Sequence, residues 1–368
     1  MADDSEGRGY CMRNHEVTAQ TPLLDKNGDL TEPGWARKQL FTYRREAIRA
    51  PKFRIKEWDY YIVIHDGKQD GSESFAAAFT ISDDGYVGLQ SVSLLLLDEG
   101  HADEHTETVL NAFPMGKLHL PPTSDAGDTV YEDKRLQMSF QKTDQARHIT
   151  CSFDRFRNEK KLTADITLQQ PDMDSMVIAT PFEKRGHFYY NQKINTLPAS
   201  GEVCYDGKTY RFDPAHDYGT LDWGRGVWTY DNTWYWGNGN ATVAGHRFGF
   251  NIGYGFGDTK AASENILFFD GVAHKLMDVD FGIPDDRSPK DMDAPDYLKP
   301  WKMTSSDQRF EMEFRPVLDR AAKMDLKLIV SDQHQVFGRL SGKAVLNDGN
   351  TLELTDVLCF AEKVHNRY

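Results

Sequence analysis

Apolar and polar residues alternate in short runs along most of the chain, and turn residues separate these runs. The first runs cover residues 53–65, 75–81 and 86–97, with turn sequences at residues 67–71 and 83–85. Alternation with a period of two is typical of half-buried strands, whereas the 3.6-residue period of an amphipathic helix is weak throughout. The pattern therefore predicts an all-β fold of two β-barrel or sandwich halves with few helices.

A polar stretch at residues 169–175, with Pro171 inside it, interrupts this pattern. The chain has 368 residues, and chains beyond about 250 residues tend to divide into separate cores. We predict an N-terminal arm at residues 1–35, a first β half at residues 36–175 and a second at residues 176–368. In the second half, residues 335–338 and 356–362 are expected to pair, because Asn347-Asp348-Gly349-Asn350 supplies hairpin turn chemistry between them.

The charge balance and the N-terminus restrict the partners. The formal net charge is −14, with no basic stripe, so nucleic acid is not an expected partner. The first residues are polar and acidic, without the apolar centre of a signal peptide, and no apolar run is long enough to cross a bilayer. We expect a soluble, cytoplasmic protein that binds a small molecule and does not insert stably into membranes.

No spacing in the sequence predicts a metal or a cofactor. The four cysteines, Cys11, Cys151, Cys204 and Cys359, are widely scattered and fit reduced structural thiols better than a metal knuckle. The Gly-rich run at residues 253–257 is not followed by a helical pattern, which argues against a dinucleotide or phosphate loop. We expect no bound metal and no cofactor.

The densest chemistry begins at residues 217–228, which contain two carboxylates, an arginine, a tyrosine and two tryptophans. In an extended strand Asp222 and Trp228 share one face, and Arg225 lies on the other. Glycines at positions 224 and 226 leave space on the Asp222 face, as glycines do where another group approaches closely. The alternative is a structural one, in which Asp222 and Arg225 form a buried pair that holds a bend in the strand.

The next strands repeat this combination of aromatic and polar residues. Trp234 and Trp236 share a face, and residues 248–257 place bulky side chains on one face and mainly glycines on the other. Such a strand fits a bent barrel wall or a cavity wall. Each aromatic residue, taken alone, is more often core filling than a ligand platform, so the argument depends on the density of the cluster. The candidate catalytic residues are Asp222, Glu264, Tyr218 and Arg225, and the candidate ligand-binding residues are Trp228, Trp234, Trp236, Asn251 and Tyr254.

Seven ordered motifs resemble the bacterial and fungal family catalogued as domain of unknown function 2804. They lie at residues 34–37, 55–61, 222–228, 253–257 with 264–265, 274–276, 334–338 and 366–367. That family is distantly similar to lipocalin-like (calycin-type) proteins of two β-barrel halves, among them carotenoid hydratases and tocopherol cyclases. The resemblance implies a cavity for long apolar molecules and, in the enzymes of the group, carboxylates that protonate an alkene without metal or nucleotide. This is an analogy at the level of the fold.

Two functions follow as hypotheses. The first is binding of an apolar small molecule, of lipid or isoprenoid type, in a lipocalin-like cavity. The second is a cofactor-independent acid–base enzyme, a hydratase, cyclase or lyase acting on an isoprenoid or a carbohydrate, in which a buried carboxyl of raised pKa protonates the substrate. An enzyme needs two proton-transfer groups in one cavity, whereas a carrier needs only an apolar lining.

Overall fold

A computed structural model describes residues 13–292, 295–325, 327 and 330–368, so Cys11 and the first part of the predicted arm lie outside the described residues. Over these residues the fold is all-β, with three short 3-10 helices at Arg45–Ala47, Lys52–Arg54 and Gly67–Gln69. None of the helices in these ranges has the length and apolarity needed to span a bilayer.

The strands of the first part of the chain are β1 (Thr21–Pro22), β2 (Gly34–Ala36), β3 (Phe41–Thr42), β4 (Lys56–His65), β5 (Phe75–Asp83), β6 (Val87–Leu96), β7 (Asp103–Ala112), β8 (Thr129–Glu132), β9 (Leu136–Lys142), β10 (Ala146–Arg157), β11 (Lys160–Gln169), β12 (Met176–Pro181), β13 (Phe188–Tyr205), β14 (Lys208–Phe212) and β15 (Tyr218–Val227). The second part contains β16 (Asp231–Val243), β17 (His246–Tyr254), β18 (Ile266–Phe269), β19 (Val272–Lys275), β20 (Val279–Asp280), β21 (Trp301–Ser305), β22 (Phe310–Asp325), β23 (Val330–Val345) and β24 (Thr351–Arg367).

These strands form two large sheets. The first sheet has the order β7-β6-β5-β4-β15-β13-β11-β10-β9-β8, with β12 and β14 also paired with β13 and β2 paired with β12, and the second has the order β19-β18-β17-β16-β24-β23-β22-β21-β20. Strands β1 and β3 form a separate parallel pair. Both large sheets are antiparallel at every pairing described for them.

Each large sheet curls so that its two ends meet. In the first sheet, Asn111 of β7 donates a hydrogen bond to the Tyr131 hydroxyl of β8 at 3.0 Å, which joins the two edge strands. In the second, the Arg309 guanidinium before β22 donates to the Lys275 carbonyl of β19 at 2.7 Å. Each curled sheet encloses its own apolar core. Two further apolar clusters combine residues of both sheets and hold the sheets against each other.

The burial pattern along the strands shows which ones lie at this junction. In β10 buried and less buried residues alternate, as expected for a strand with one face toward a core. Every residue of β15 is buried, because one face of this strand covers the first core and the other faces the second sheet. Strand β15 is therefore the place where a cavity between the sheets can meet the centre of the first sheet.

The chain passes from the first sheet to the second between Val227 and Asp231, later than the predicted boundary between residues 175 and 176. The polar stretch at residues 169–175 contains the loop between β11 and β12 within the first sheet, and the polar yet buried residues Asn191, Gln192 and Lys193 leave the following long strand β13 without apolar alternation. Whether the two sheets fold as separate domains stays a prediction. The predicted hairpin is present, since Gln335 pairs with Glu362 and Gly338 with Cys359 across β23 and β24.

Candidate functional site

A cavity of about 470 Å³ lies between the two sheets. Its lining alternates along the strands, as in Trp58 and Tyr60 of β4 or Gln333 and Gln335 of β23, because residues two apart share a face. The lining residues from the first part of the chain are Trp58, Tyr60, Thr80, Ser82, Asp84, Leu89, Ser91, Glu104, Thr106, Thr108, Tyr189, Lys193, Asp222 and Trp228. The lining residues from the second part are Trp234, Trp236, Phe256, Glu264, Arg320, Ala322, Gln333, Gln335, Glu362 and Tyr368.

The structure brings five of the predicted site residues together on this wall, namely Asp222, Glu264, Trp228, Trp234 and Trp236. They come from both sides of the junction. The two carboxylates share one cavity, which is the arrangement that an acid–base enzyme requires.

Asp222 forms a buried ion pair at the centre of the wall. Lys193 of β13 places its ammonium nitrogen 2.7 Å from Asp222 Oδ2, and Asn191 donates to Asp222 Oδ1 at 2.6 Å. The same ammonium group lies 3.8 Å from the centre of the Trp236 ring, a cation–π contact. One cation thus compensates the Asp222 charge and also faces the second sheet.

Glu362 of β24 is the most perturbed carboxyl of the cavity. Its side chain accepts hydrogen bonds from Trp234 Nε1 at 3.0 Å and from Gln335 Nε2 at 3.1 Å. Burial raises the pKa of Glu362 to about 7, with the Asp222 charge acting in the same direction and the hydrogen bonds and Lys193 opposing it. A carboxyl with this pKa holds a proton in a large fraction of molecules at neutral pH.

Glu264 is fixed by a polar network behind the wall. Asn251 of β17 donates to the Glu264 carbonyl at 3.0 Å and to Glu264 Oε2 at 3.2 Å. The Asn251 oxygen in turn accepts from Trp236 Nε1 at 2.7 Å. Burial raises the pKa of Glu264 while Lys193 lowers it. Asn251, predicted to bind ligand, is buried behind the lining and instead orients Trp236 and Glu264.

One side of the cavity is an aromatic wall. Trp58 stacks on Tyr189 with ring centres 6.3 Å apart and meets Trp228 edge-on at 5.6 Å. Phe256 contacts Trp228 and Trp234 in edge-on geometry, at 5.4 and 5.2 Å. The indole nitrogen of Trp228 is buried without a hydrogen-bond partner among the described residues. Large apolar area and an unused donor are features of a ligand-binding wall.

Gly224 explains how the Trp58 ring reaches this position. Gly224 pairs with Trp58 across β15 and β4, and a Cβ atom at position 224 would lie 2.0 Å from Trp58 Cζ2. The Trp58 ring therefore covers Gly224. The group that approaches this glycine closely, as the sequence predicts for some group, is the Trp58 side chain.

Arg225 and Tyr218 lie away from the cavity, which corrects their predicted place in the site. The Arg225 guanidinium is fully buried on the opposite face of β15 and donates to Asp59 Oδ1 at 3.0 Å and to the Pro121 carbonyl at 2.7 Å. It does not pair with Asp222, so the predicted alternative pair is also wrong. The Tyr218 hydroxyl is bonded to Thr242 Oγ1 at 2.7 Å.

Tyr254 likewise lies outside the cavity lining. Its ring stacks on Tyr235 with centres 4.3 Å apart, in the core of the second sheet. Alternation along β17 placed Tyr254 and Phe256 on one face, but the chain turns at Gly255, whose φ is +88°, and Phe256 reaches the cavity while Tyr254 does not.

Sequence reasoning did not select Lys193, Glu362 or Trp58. Lys193 lies in the part of β13 that no apolar alternation marks, and Glu362 lies in the terminal run that the sequence predicts only to pair with residues 335–338. One available signal was the charged pair Glu362-Lys363 directly after the apolar run at residues 357–361, since buried charges need partners.

The described residues contain one further group with metal-ligand geometry, outside the cavity. His65, His216 and Asp217 bring one ligand atom each within 4.8 Å of one another. These residues come from distant positions in the chain, so sequence spacing could not indicate the group. The absence of metal and cofactor stays a prediction.

The family model described as Domain of unknown function (DUF2804) matches residues 14–368, and the chain belongs to this family. Curated proteins gave no match.

Among solved structures, kievitone hydratase from Nectria haematococca is 11% identical, with 98% of both chains covered and a TM-score of 0.45. A putative AttH from Nitrosomonas europaea is 13% identical over 85% of this chain and 92% of that chain, with a TM-score of 0.48. CghA with Sch210972 is 9% identical over 97% of both chains, with a TM-score of 0.43. Scores and identities this low carry no inference about activity, substrate or site residues.

Proposed function

We propose that the chain is a cofactor-independent acid–base enzyme that adds water to, or eliminates it from, a small molecule with an aromatic or otherwise apolar body. The observation that carries the proposal is the convergence of Asp222, Glu264 and Glu362 around the ammonium group of Lys193 in one cavity. A carrier for an apolar molecule does not need three carboxyls in its wall.

The roles follow from the surroundings of each carboxyl. Glu362, with a pKa of about 7, is the general acid that delivers a proton to the substrate. Asp222, whose negative charge is compensated by Lys193 at 2.7 Å, is the base that takes a proton from the attacking water. Carboxyls held in different environments within one site supply such acid and base roles at neutral pH.

The aromatic wall orients the substrate. An apolar body packs on Trp58, Trp228 and Phe256, and an acceptor atom on it pairs with the unused indole N–H of Trp228. The part of the lining that β5 to β7 supply carries hydroxyl groups, among them those of Thr80 and Ser91, which can bind polar substituents. Burial raises the pKa of Tyr189, with Glu264 and Asp222 adding to the effect, so its phenol stays protonated and can donate.

Ligand binding without turnover is the second candidate, and the aromatic wall favours it. A cavity of about 470 Å³ is within the range for small-molecule sites. In a carrier the carboxyls would act only as polar anchors.

The test is to incubate the purified protein with a small-molecule extract and follow all compounds by mass spectrometry. The wild type is expected to interconvert two compounds that differ by one water molecule. Glu362→Gln and Asp222→Asn should reduce this conversion by about 10²–10⁴-fold while the compound still binds. Tyr218→Phe, which removes a hydroxyl outside the cavity, serves as the control and should retain activity. A compound that co-purifies unchanged with the wild type and both variants would contradict the enzyme and support the carrier.

A further inference from the structure

A second group of reactive side chains lies at the end of the first sheet, apart from the cavity. His65 ends β4 and Asp217 precedes β15, and these strands are neighbours, since Ile64 pairs with Tyr218. Ser72 lies on the loop that connects β4 to β5. The fold therefore brings a hydroxyl, an imidazole and a carboxylate together from three separate positions in the chain.

The distances form a continuous chain of hydrogen bonds. Ser72 Oγ is 2.7 Å from His65 Nε2, and His65 Nδ1 is 2.9 Å from Asp217 Oδ2. A nucleophile bonded to a base, with the base oriented by a third group, is the arrangement that activates serine. We propose that Ser72, His65 and Asp217 form a serine-nucleophile site that accepts small, unhindered esters and related acyl or phosphoryl compounds.

The surroundings suit these roles. Asp217 is fully buried and accepts further bonds from the Asp213 backbone N–H at 2.7 Å and from His216 at 3.0 Å, which fix the carboxylate. His65 is buried, whereas Ser72 is exposed and reachable from solvent.

The Ser72 loop is held in place by the rest of the molecule. The loop amide of Gly71 donates to the Gly67 carbonyl at 2.7 Å, and the Ser72 amide donates to Asp70 Oδ1 at 2.9 Å. Arg339 of the second sheet binds both carboxylate oxygens of Asp66 at 2.9 Å. A nucleophile on a fixed loop loses little freedom on reaching its reactive geometry.

The reaction balances without any cofactor. Ser72 Oγ attacks the acyl carbon, and its proton moves to His65 Nε2. The proton then passes to the leaving alcohol as the ester C–O bond breaks, and water releases the acyl group by the same steps in reverse. Asp217 is a positioning residue that keeps the His65 Nδ1–H pointing away from the serine.

The test uses the intact protein and a fluorophosphonate probe, which forms a Ser–O–P bond and releases fluoride, followed by peptide mass mapping. We expect labelling at Ser72, lost in Ser72→Ala and at least ten-fold slower in His65→Gln. Ser306→Ala, which changes an exposed turn serine elsewhere, should label like the wild type.

A pH profile separates activation from mere structure. Burial opposes charging of His65, but the bond to Asp217 together with the negative charges of Asp217, Asp70 and Asp66 outweighs this and raises its pKa, and His216 is a further titratable group in contact with Asp217. Labelling should therefore increase as pH rises through a midpoint above the ordinary histidine value, and Asp217→Asn should lower that midpoint. Absence of a Ser72 adduct, or equal rates in the wild type and His65→Gln, would overturn the proposal. Stoichiometric zinc binding that His216→Ala abolishes, with Ser72 unlabelled, would overturn it in favour of a metal centre.

Discussion

Strand β15 carries a buried cation–carboxylate group on each of its two faces, and the two groups differ in what surrounds them. On the core face, Arg225 is bonded to Asp59 at 3.0 Å and to backbone carbonyls, and Glu57 lies nearby with its own bonds to Tyr43 and Arg45. On the cavity face, Asp222 meets Lys193 at 2.7 Å within reach of further carboxyls.

The difference shows how similar residues serve structure on one side and chemistry on the other. On the core face, most N–H groups of Arg225 donate to Asp59 and to backbone carbonyls of neighbouring segments, so this group holds strands together. The cavity group has more carboxyls than cations, and burial, with the Asp222 charge adding to it, raises the pKa values of Glu264 and Glu362. A buried charge excess beside an open volume is typical of functional sites.

The largest expected effect is on the free energy of unfolding, and it is seen by comparing two variants that each remove one cation, Arg225 on the core face or Lys193 on the cavity face. Arg225→Met should lower the free energy of unfolding by about 3–5 kcal/mol, because it leaves the Asp59 charge buried and unpaired. Lys193→Met makes the same chemical change on the cavity face. Both carboxylates keep one side-chain hydrogen bond, Asp59 from Thr129 and Asp222 from Asn191. Lys193→Met should nevertheless have less than half the effect, since Glu264 and Glu362 beside Asp222 have raised pKa values and can take up protons.

Urea unfolding of both variants at neutral pH measures this difference. Equal losses in the two variants would mean that the cavity group is as structural as the core group.

The next effect concerns the pH dependence of stability. Because the pKa of Glu362 is raised from 4.5 to about 7 in the folded protein, the unfolded chain ionises first as pH rises. The resulting penalty to folding grows between pH 4.5 and about 7 and reaches about 3 kcal/mol, at about 1.4 kcal/mol per pKa unit. Glu362→Gln should remove it and so gain stability relative to the wild type as pH increases through this window.

Glu353→Gln, at an exposed position of the same strand, is the matched control. Its unfolding free energy should differ from that of the wild type by a constant amount across the same pH range. If Glu362→Gln behaves in this way too, the buried carboxyl has an ordinary pKa.

The smallest effect is on the shape of the cavity wall. Gly224→Ala would place Cβ 2.0 Å from the Trp58 ring, so the ring must move, with a loss of about 1–3 kcal/mol and a change in tryptophan fluorescence. In Gly237→Ala, the new Cβ meets the Ile252 side chain at 3.0 Å in the other sheet, and the fluorescence of the cavity tryptophans should stay unchanged. An unchanged spectrum in Gly224→Ala would mean that the glycine does not position Trp58.

Alternation and turn residues were sufficient to predict the all-β fold and the β23–β24 hairpin, because one-sided burial leaves a period of two in the sequence. The same alternation placed Asp222 and Trp228 on one face and Arg225 on the other. Lys193 and Glu362 could not be found in this way. Their strands are buried on both faces at the sheet junction, and their partners are remote in sequence: Asp222 of the neighbouring strand β15 compensates Lys193, and Trp234 and Gln335 of strands β16 and β23 bond to Glu362. Such compensation is a property of tertiary packing.

The central claim is that the cavity holds a carboxyl which exchanges a proton near neutral pH. The most direct measurement is a carbon-13 NMR titration of glutamate carboxyls, with the Glu362 signal assigned by its absence in Glu362→Gln. We predict a midpoint of about 7, displaced upward in Lys193→Met and unmoved in a conservative Arg225→Lys variant. A midpoint near the ordinary 4.5 in the wild type would contradict the assignment of Glu362 as the general acid.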